Sequence, residues 1–135
     1  MTKPITSRVH GVLDYPVGLL LIASPWIFGF HDVGGAAVTL PILIGAIALL
    51  QSTITDYEQS VVDMIPLRMH LVNDIIAGTV LAASPWLFGF ADEGTSAWLP
   101  HLVFGLLLLG SGLLTRGERE TDKAPIGNPS APGGR

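Results

Sequence analysis

Residues 8–32 read RVHGVLDYPVGLLLIASPWIFGFHD, and residues 68–92, sixty positions later, read RMHLVNDIIAGTVLAASPWLFGFAD. Of the 25 aligned positions 14 are identical, more than a shared apolar composition produces. The matches include Arg8/Arg68, His10/His70, Asp14/Asp74 and Gly18/Gly78. They also include Ser24-Pro25-Trp26 with Phe28-Gly29-Phe30, against Ser84-Pro85-Trp86 with Phe88-Gly89-Phe90. The segments that follow match less well and keep Gly45/Gly105, Leu49/Leu109 and Thr55/Thr115. A repeat this regular is the organising fact of the fold. It points to tandem duplication of a two-helix unit.

Outward from the repeat, the composition points to a membrane. Charged residues make up 13% of the 135-residue chain, against about 25% in ordinary soluble domains, and mean hydropathy is +0.54. Four uncharged stretches, 15–30, 33–55, 75–91 and 94–115, contain 16, 23, 17 and 22 residues. Roughly 20 helical residues cross a bilayer, so the second and fourth suffice as they stand. The first and third reach that length with about one more turn, which brings in 10–14 and 70–74. A soluble helix would carry a charged outer face at i, i+3, i+4 spacing, and none of the four does. A cleaved leader is also disfavoured: no small-x-small site follows the first apolar run, and the same segment recurs at 68–90. Cysteine is absent, which excludes disulfides, thiolate catalysis and cysteine-ligated iron–sulfur clusters.

The predicted architecture is all-α, with four transmembrane helices in two parallel repeats related by a pseudo-two-fold axis along the membrane normal. The repeats span about 5–58 and 66–116 within one domain, 1–116. All seven Lys and Arg lie before the first helix, between the second and third, or after the fourth. The hairpin loops 31–35 and 92–96 have none, so both termini are expected in the cytoplasm of a bacterial inner membrane. The tail 117–135, rich in Gly, Pro and charge, is expected to be disordered.

With its Ser-Pro-Trp occurring twice in register, the chain resembles the SPW-repeat family of bacterial membrane proteins, over residues 8 to 116. The resemblance implies paired membrane helices and no particular activity.

Each residue of the signature has a local structural role. Ser24 lies about 24 Å along a helix from Arg8, at the opposite boundary. Trp26 and Trp86 then fall in an interfacial aromatic belt. Pro25 and Pro85 lack an N–H and should kink or end the helix. Ser24 and Ser84 can satisfy the carbonyls this frees, and Gly29 and Gly89 permit the turn that follows.

A second set is chemically richer. His10, Asp14, Gly18, Leu21 and Pro25 are spaced 4, 4, 3 and 4 apart, which places them within an arc of about 80°. The stripe recurs as His70, Asp74, Gly78, Leu81 and Pro85. The two stripes are expected to meet across the axis, with Gly18 and Gly78 letting the backbones approach. His10, Asp14, His70 and Asp74 then gather near the cytoplasmic boundary. Ionisable groups at membrane depth cost about 2.5 kcal/mol or more and are usually paired or functional.

Three readings compete. In the structural one, His and Asp bond within and between repeats, and Arg8 and Arg68 meet Asp14 or Asp74. In the second, His10 and His70 are the axial ligands of a haem. In the third, the cluster relays protons or an ion. Two His and two Asp are also a conceivable divalent-metal set. Each i, i+4 pair is equally explained by one side chain orienting the other, so no metal is assigned. His31 and His101, which do not repeat, read as outer interfacial residues. Pro16 either bends the first helix or marks its start, which would leave His10 on a surface segment.

There is no phosphate-binding loop, no nucleophile with a matched base, no dinucleotide fingerprint and no basic nucleic-acid face. The favoured expectation is a non-enzymatic structural or accessory membrane component without a cofactor. Its partners are the lipid bilayer and either further copies or a larger membrane complex, with Gly45 and Gly105 available for docking. A haem-binding redox module or an ion-conducting module is the alternative.

Overall fold

The computed structural model describes residues 3–56 and 60–118, so the expectation of a disordered tail falls largely outside the described residues. Four α-helices follow one another: α1 (Ser7–Ile27), α2 (Gly35–Ile54), α3 (Leu67–Leu87) and α4 (Thr95–Leu114). A single 3-10 turn, Ala91–Glu93, precedes α4. Among the described residues there is no strand, only isolated bridges at Ile5–Thr115 and Thr55–Ile65.

Helix α1 begins at Ser7, where the Thr6 hydroxyl accepts a bond from the Val9 N–H at 3.3 Å. Pro16 is therefore an interior residue of α1, and His10 lies on its first turns with 2% exposure. The concern that His10 sits on a surface segment is removed.

The Ser-Pro-Trp segment ends α1 and α3 in the same way. Pro25 cannot donate to the carbonyl four residues back, which is that of Leu21. The Ser24 hydroxyl donates to that carbonyl at 2.7 Å, and Ser84 does the same for Leu81. Gly29 and Gly89 then adopt φ of +73°, in the left-handed region that favours glycine. This lets the Phe30 and Phe90 N–H groups close back onto the carbonyls of Pro25 and Pro85 at 2.9 Å, a Schellman stop. Trp26 and Trp86 remain 59% exposed beside it. The helix runs two residues past each proline before stopping.

Helices pack mainly within each repeat, α1 on α2 and α3 on α4. The close approaches occur there. A Cβ on Gly18 would meet Leu49 at 2.8 Å and the Gly45 carbonyl at 3.2 Å. One on Gly78 would collide with the Leu109 backbone and lie 2.6 Å from the Gly105 carbonyl. Gly18 and Gly78 thus face Gly45 and Gly105 of their own repeats, not each other across the axis as the stripe suggested. The reason is angular: small residues go where two backbones are nearest, and those pairs are intra-repeat. By the same token Gly45 and Gly105 are engaged inside the chain and offer no docking face.

Three layers stack through the interior of the bundle. At the hairpin end, Phe30, Phe90, Ala37 and Ala97 are buried together. The middle layer holds Leu21, Leu81, Ile44, Phe104 and Leu108. At the end bearing the termini lie the buried His10, His70 and Asp74. The outer surface is apolar, with Leu19, Leu50, Leu106 and Leu107 all exposed. Helices α2 and α4 are long and apolar enough to cross a membrane.

Candidate functional site

The bridges stitch the termini end in a reciprocal pattern. Ile5 N donates to Leu114 O (3.2 Å) and Arg116 N to Ile5 O (2.9 Å). Sixty residues away, Ile65 N donates to Ile54 O (2.9 Å) and Asp56 N to Ile65 O (2.8 Å). The end of each repeat's second helix is thus tied to the segment entering the other repeat's first helix. This brings Thr115 to His10 and Thr55 to His70.

Within α1 and α3, His and Asp are four residues apart and so lie one above the other on a single face. Reciprocal stitching presses these faces together. His10 Nε2 lies 3.2 Å from Asp14 Oδ1 and 3.1 Å from Asp74 Oδ2. His70 Nε2 lies 3.2 Å from Asp14 Oδ2 and 3.3 Å from Asp74 Oδ2. The two Nε2 atoms are 3.5 Å apart, with the rings edge to face at 77°. Among the described residues this is the one group of three or more His, Asp or Glu side chains whose donor atoms come within 4.8 Å of one another.

Proton positions at the far side of the rings follow from counting. Thr115 Oγ1 donates its single proton to Ser111 O at 2.6 Å, and Thr55 Oγ1 donates to Gln51 O at 2.6 Å. Each hydroxyl can then only accept. So His10 Nδ1–H donates to Thr115 (2.9 Å) and His70 Nδ1–H to Thr55 (2.7 Å). The Nδ1 protons are fixed, and both Nε2 atoms point into the cluster.

Outer contacts break the symmetry. Gln51 Nε2 donates to Asp74 Oδ1 at 2.8 Å, and Asn73 Nδ2 donates to Gln51 Oε1 at 3.3 Å. On the other side Ser52 Oγ lies 3.1 Å from Asp14 Oδ2 and 2.7 Å from Ala48 O, with one proton between them. Tyr15, another departure from the repeat, donates from its hydroxyl to Ser52 O at 3.3 Å. Asp14 also borders a groove of about 290 Å³ between α1 and α4, lined by Leu13, Val17, Leu107 and Gly110. The pocket beside Asp74 measures only about 50 Å³.

The structure therefore brings together His10, Asp14, His70 and Asp74 and leaves out Arg8 and Arg68. Both arginines are exposed, and Arg68 instead reaches Glu118 Oε1 at 3.8 Å. Two residues before each His, and so on the opposite, outer face of the helix, an arginine can stay hydrated at low cost. His31 is half-exposed, its Nε2 3.4 Å from Asp32 Oδ1. His101 is not interfacial. It is buried between the Phe30 and Phe90 rings, at centroid distances of 5.0 and 4.7 Å, and its Nε2 lies 2.8 Å from Ala37 O.

Residues overlooked in the sequence are Thr55, Thr115, Gln51 and Ser52. The threonine pair was already visible as a match across the repeat, and its meaning needed the swapped stitching. A haem does not fit this centre: a macrocycle between the two Nε2 atoms would have to pass through both carboxylates.

Residues 8–115 match a family model described as the SPW repeat domain. No curated protein and no solved structure gives a significant match.

Proposed function

Since the chain belongs to the SPW repeat domain family, we propose that it is a four-span inner-membrane protein with both termini cytoplasmic, acting as a structural or accessory component without catalysis. The observation that carries this reading is the swapped polar centre, in which each half completes the other's histidine. Helices α1 and α3 have 21 residues each, about 31 Å, close to the hydrocarbon thickness. Their ionisable residues face the axis at one end, where insertion costs least. The exposed apolar belt and the paired Trp86 and Trp98 rings, 6.2 Å apart near the hairpin end, suit a lipid contact.

Conduction is less well supported. The two apolar layers, Leu21 with Leu81 and Phe30 with Phe90, stand between the polar centre and the hairpin end. Assembly with further copies or with a larger membrane complex would use the exposed apolar helix faces.

Topology is tested by labelling single cysteines in intact cells, since the chain has none of its own. Ser96→Cys should react with an impermeant maleimide from outside, and Ser60→Cys only after lysis. The opposite pattern overturns the orientation. His10→Ala with His70→Ala should lower the melting temperature in detergent. An unchanged melting temperature removes the structural role.

A further inference from the structure

We propose that His10, Asp14, His70 and Asp74 form a tetrahedral site for one divalent transition-metal ion of the zinc class. This rests on the swapped centre described above and assigns it an occupant.

The spacing of the donor atoms is the first argument. Zinc binds nitrogen and carboxylate oxygen at about 2.0–2.2 Å, so the edges of its ligand tetrahedron are about 3.3–3.5 Å. With one oxygen per carboxylate, four edges are seen: 3.1, 3.3 and 3.5 Å among His10 Nε2, His70 Nε2 and Asp74 Oδ2, and 3.2 Å from Asp14, which meets His10 through Oδ1 or His70 through Oδ2. The two remaining edges fall within the 4.8 Å that encloses all four donors.

Proton placement is the second. Thr115 and Thr55 hold the Nδ1 protons, the arrangement in which a neutral imidazole offers its Nε2 lone pair to a metal. Asp74 is 3% exposed, and its Oδ2 lies 3.1 Å from His10 Nε2 and 3.3 Å from His70 Nε2. A shared cation accounts for three acceptor atoms converging on one point.

Charge is the third. Two carboxylates carry two negative charges into a buried site, and a divalent ion cancels them. Gln51 on Asp74 and the threonines on both rings orient the donors, as outer partners do in metal centres. Two imidazoles with two carboxylates in a four-donor set favour zinc over calcium or magnesium, which require six or more oxygens.

The test uses the full chain, purified in detergent through an epitope tag without polyhistidine, with metal content read by mass spectrometry. One zinc per chain is expected after Zn²⁺ loading and desalting. Chelator-treated protein given Co²⁺ should show the intense visible bands of tetrahedral cobalt. Asp74→Asn and His70→Gln should each abolish those bands, and Thr115→Val should weaken affinity roughly 10–100-fold. Should the variants not fold, the cobalt spectrum of the wild-type chain decides alone. Folded wild-type protein that neither retains zinc nor gives the cobalt bands overturns the site, the centre then being filled by protons. Full metal content in a folded His70→Gln variant overturns it too. The structural reading stands or falls separately. If metal is absent but His10→Ala with His70→Ala still melts lower, only the metal is lost. If metal binds and those variants melt unchanged, the interlock is lost and the site remains.

Discussion

His10 Nδ1 and Thr115 Oγ1 lie 2.9 Å apart across 105 positions of sequence, and His70 Nδ1 and Thr55 Oγ1 lie 2.7 Å apart across 15. One contact joins the two ends of the membrane unit and the other spans its central loop, yet they are the same contact under the repeat. Each half therefore lends the threonine that caps its second helix to the other's first histidine.

The hydroxyl matters more than the methyl at both positions. Thr115→Val and Thr55→Val keep the shape and remove the acceptor, leaving a buried Nδ1–H without a partner, at about 1–3 kcal/mol each. Both should lower the melting temperature in detergent, and Thr→Ser at either position should restore most of the loss. Equal melting of the valine and serine variants would show that the hydroxyl is idle.

The serines of the signature answer to a similar argument. Ser24→Ala leaves the Leu21 carbonyl, already deprived of a donor by Pro25, unpaired among buried side chains. Ser84→Ala does the same to Leu81. Each should cost about 1–3 kcal/mol, and because the sites are separate the double variant should show nearly the sum. Restoring an N–H with Pro25→Ala in the Ser24→Ala background should recover stability. No recovery would mean the serine acts some other way.

The glycines separate by what a methyl group would strike. At Gly78 it meets the α4 backbone at Leu109 and Gly105, which cannot move without shifting the helix. At Gly18 the nearest atoms belong to the flexible Leu49 side chain, with the Gly45 carbonyl at 3.2 Å. Gly78→Ala should therefore destabilise by about 1–3 kcal/mol or more, as overpacking does, and Gly18→Ala by clearly less. Cysteines placed at 18 and 78 should fail to form a disulfide with each other. Ready crosslinking between them would contradict the packing found here.

These cases mark what the sequence made legible. Period and hydropathy carry the helices, because spanning length and capping are local properties. The Ser-Pro-Trp stop was readable in full, since Pro25, Ser24 and Gly29 each act within one turn. The stripe places His10, Asp14 and Leu21 at the contact between the repeats, where they lie, and places Gly18 there too, which instead faces Gly45. An arc of about 80° is wide enough to touch two neighbours, and periodicity does not say which edge meets which helix. His101 was misplaced for a related reason: a polar residue near a helix end looks interfacial until an aromatic pair from two other segments closes over it. The threonines were visible as matched positions, but their role depends on which half pairs with which, and that is set by the two short bridges at Ile5 and Ile65.

The two aspartates should not be equivalent, although the repeat makes them so in sequence. Asp74 is almost wholly buried and held by Gln51, itself steadied by Asn73. The positions matching Gln51 and Ser52 in the second repeat are Ser111 and Gly112, so Asp14 has no amide of that kind beside it. Asp14 is 13% exposed at its side chain and borders the open groove. Removing Asp74 strands the Gln51 amide in a closed site, where an unpaired buried donor costs about 1–3 kcal/mol. Removing Asp14 leaves Ser52 still bonded to Ala48 O in a less closed site, so less is stranded. Asp74→Ala should therefore melt well below Asp14→Ala, and the gap should shrink when Gln51→Ala is combined with each. Were Asp14→Ala the more damaging variant, the groove rather than the buried half would be the rigid side of the centre.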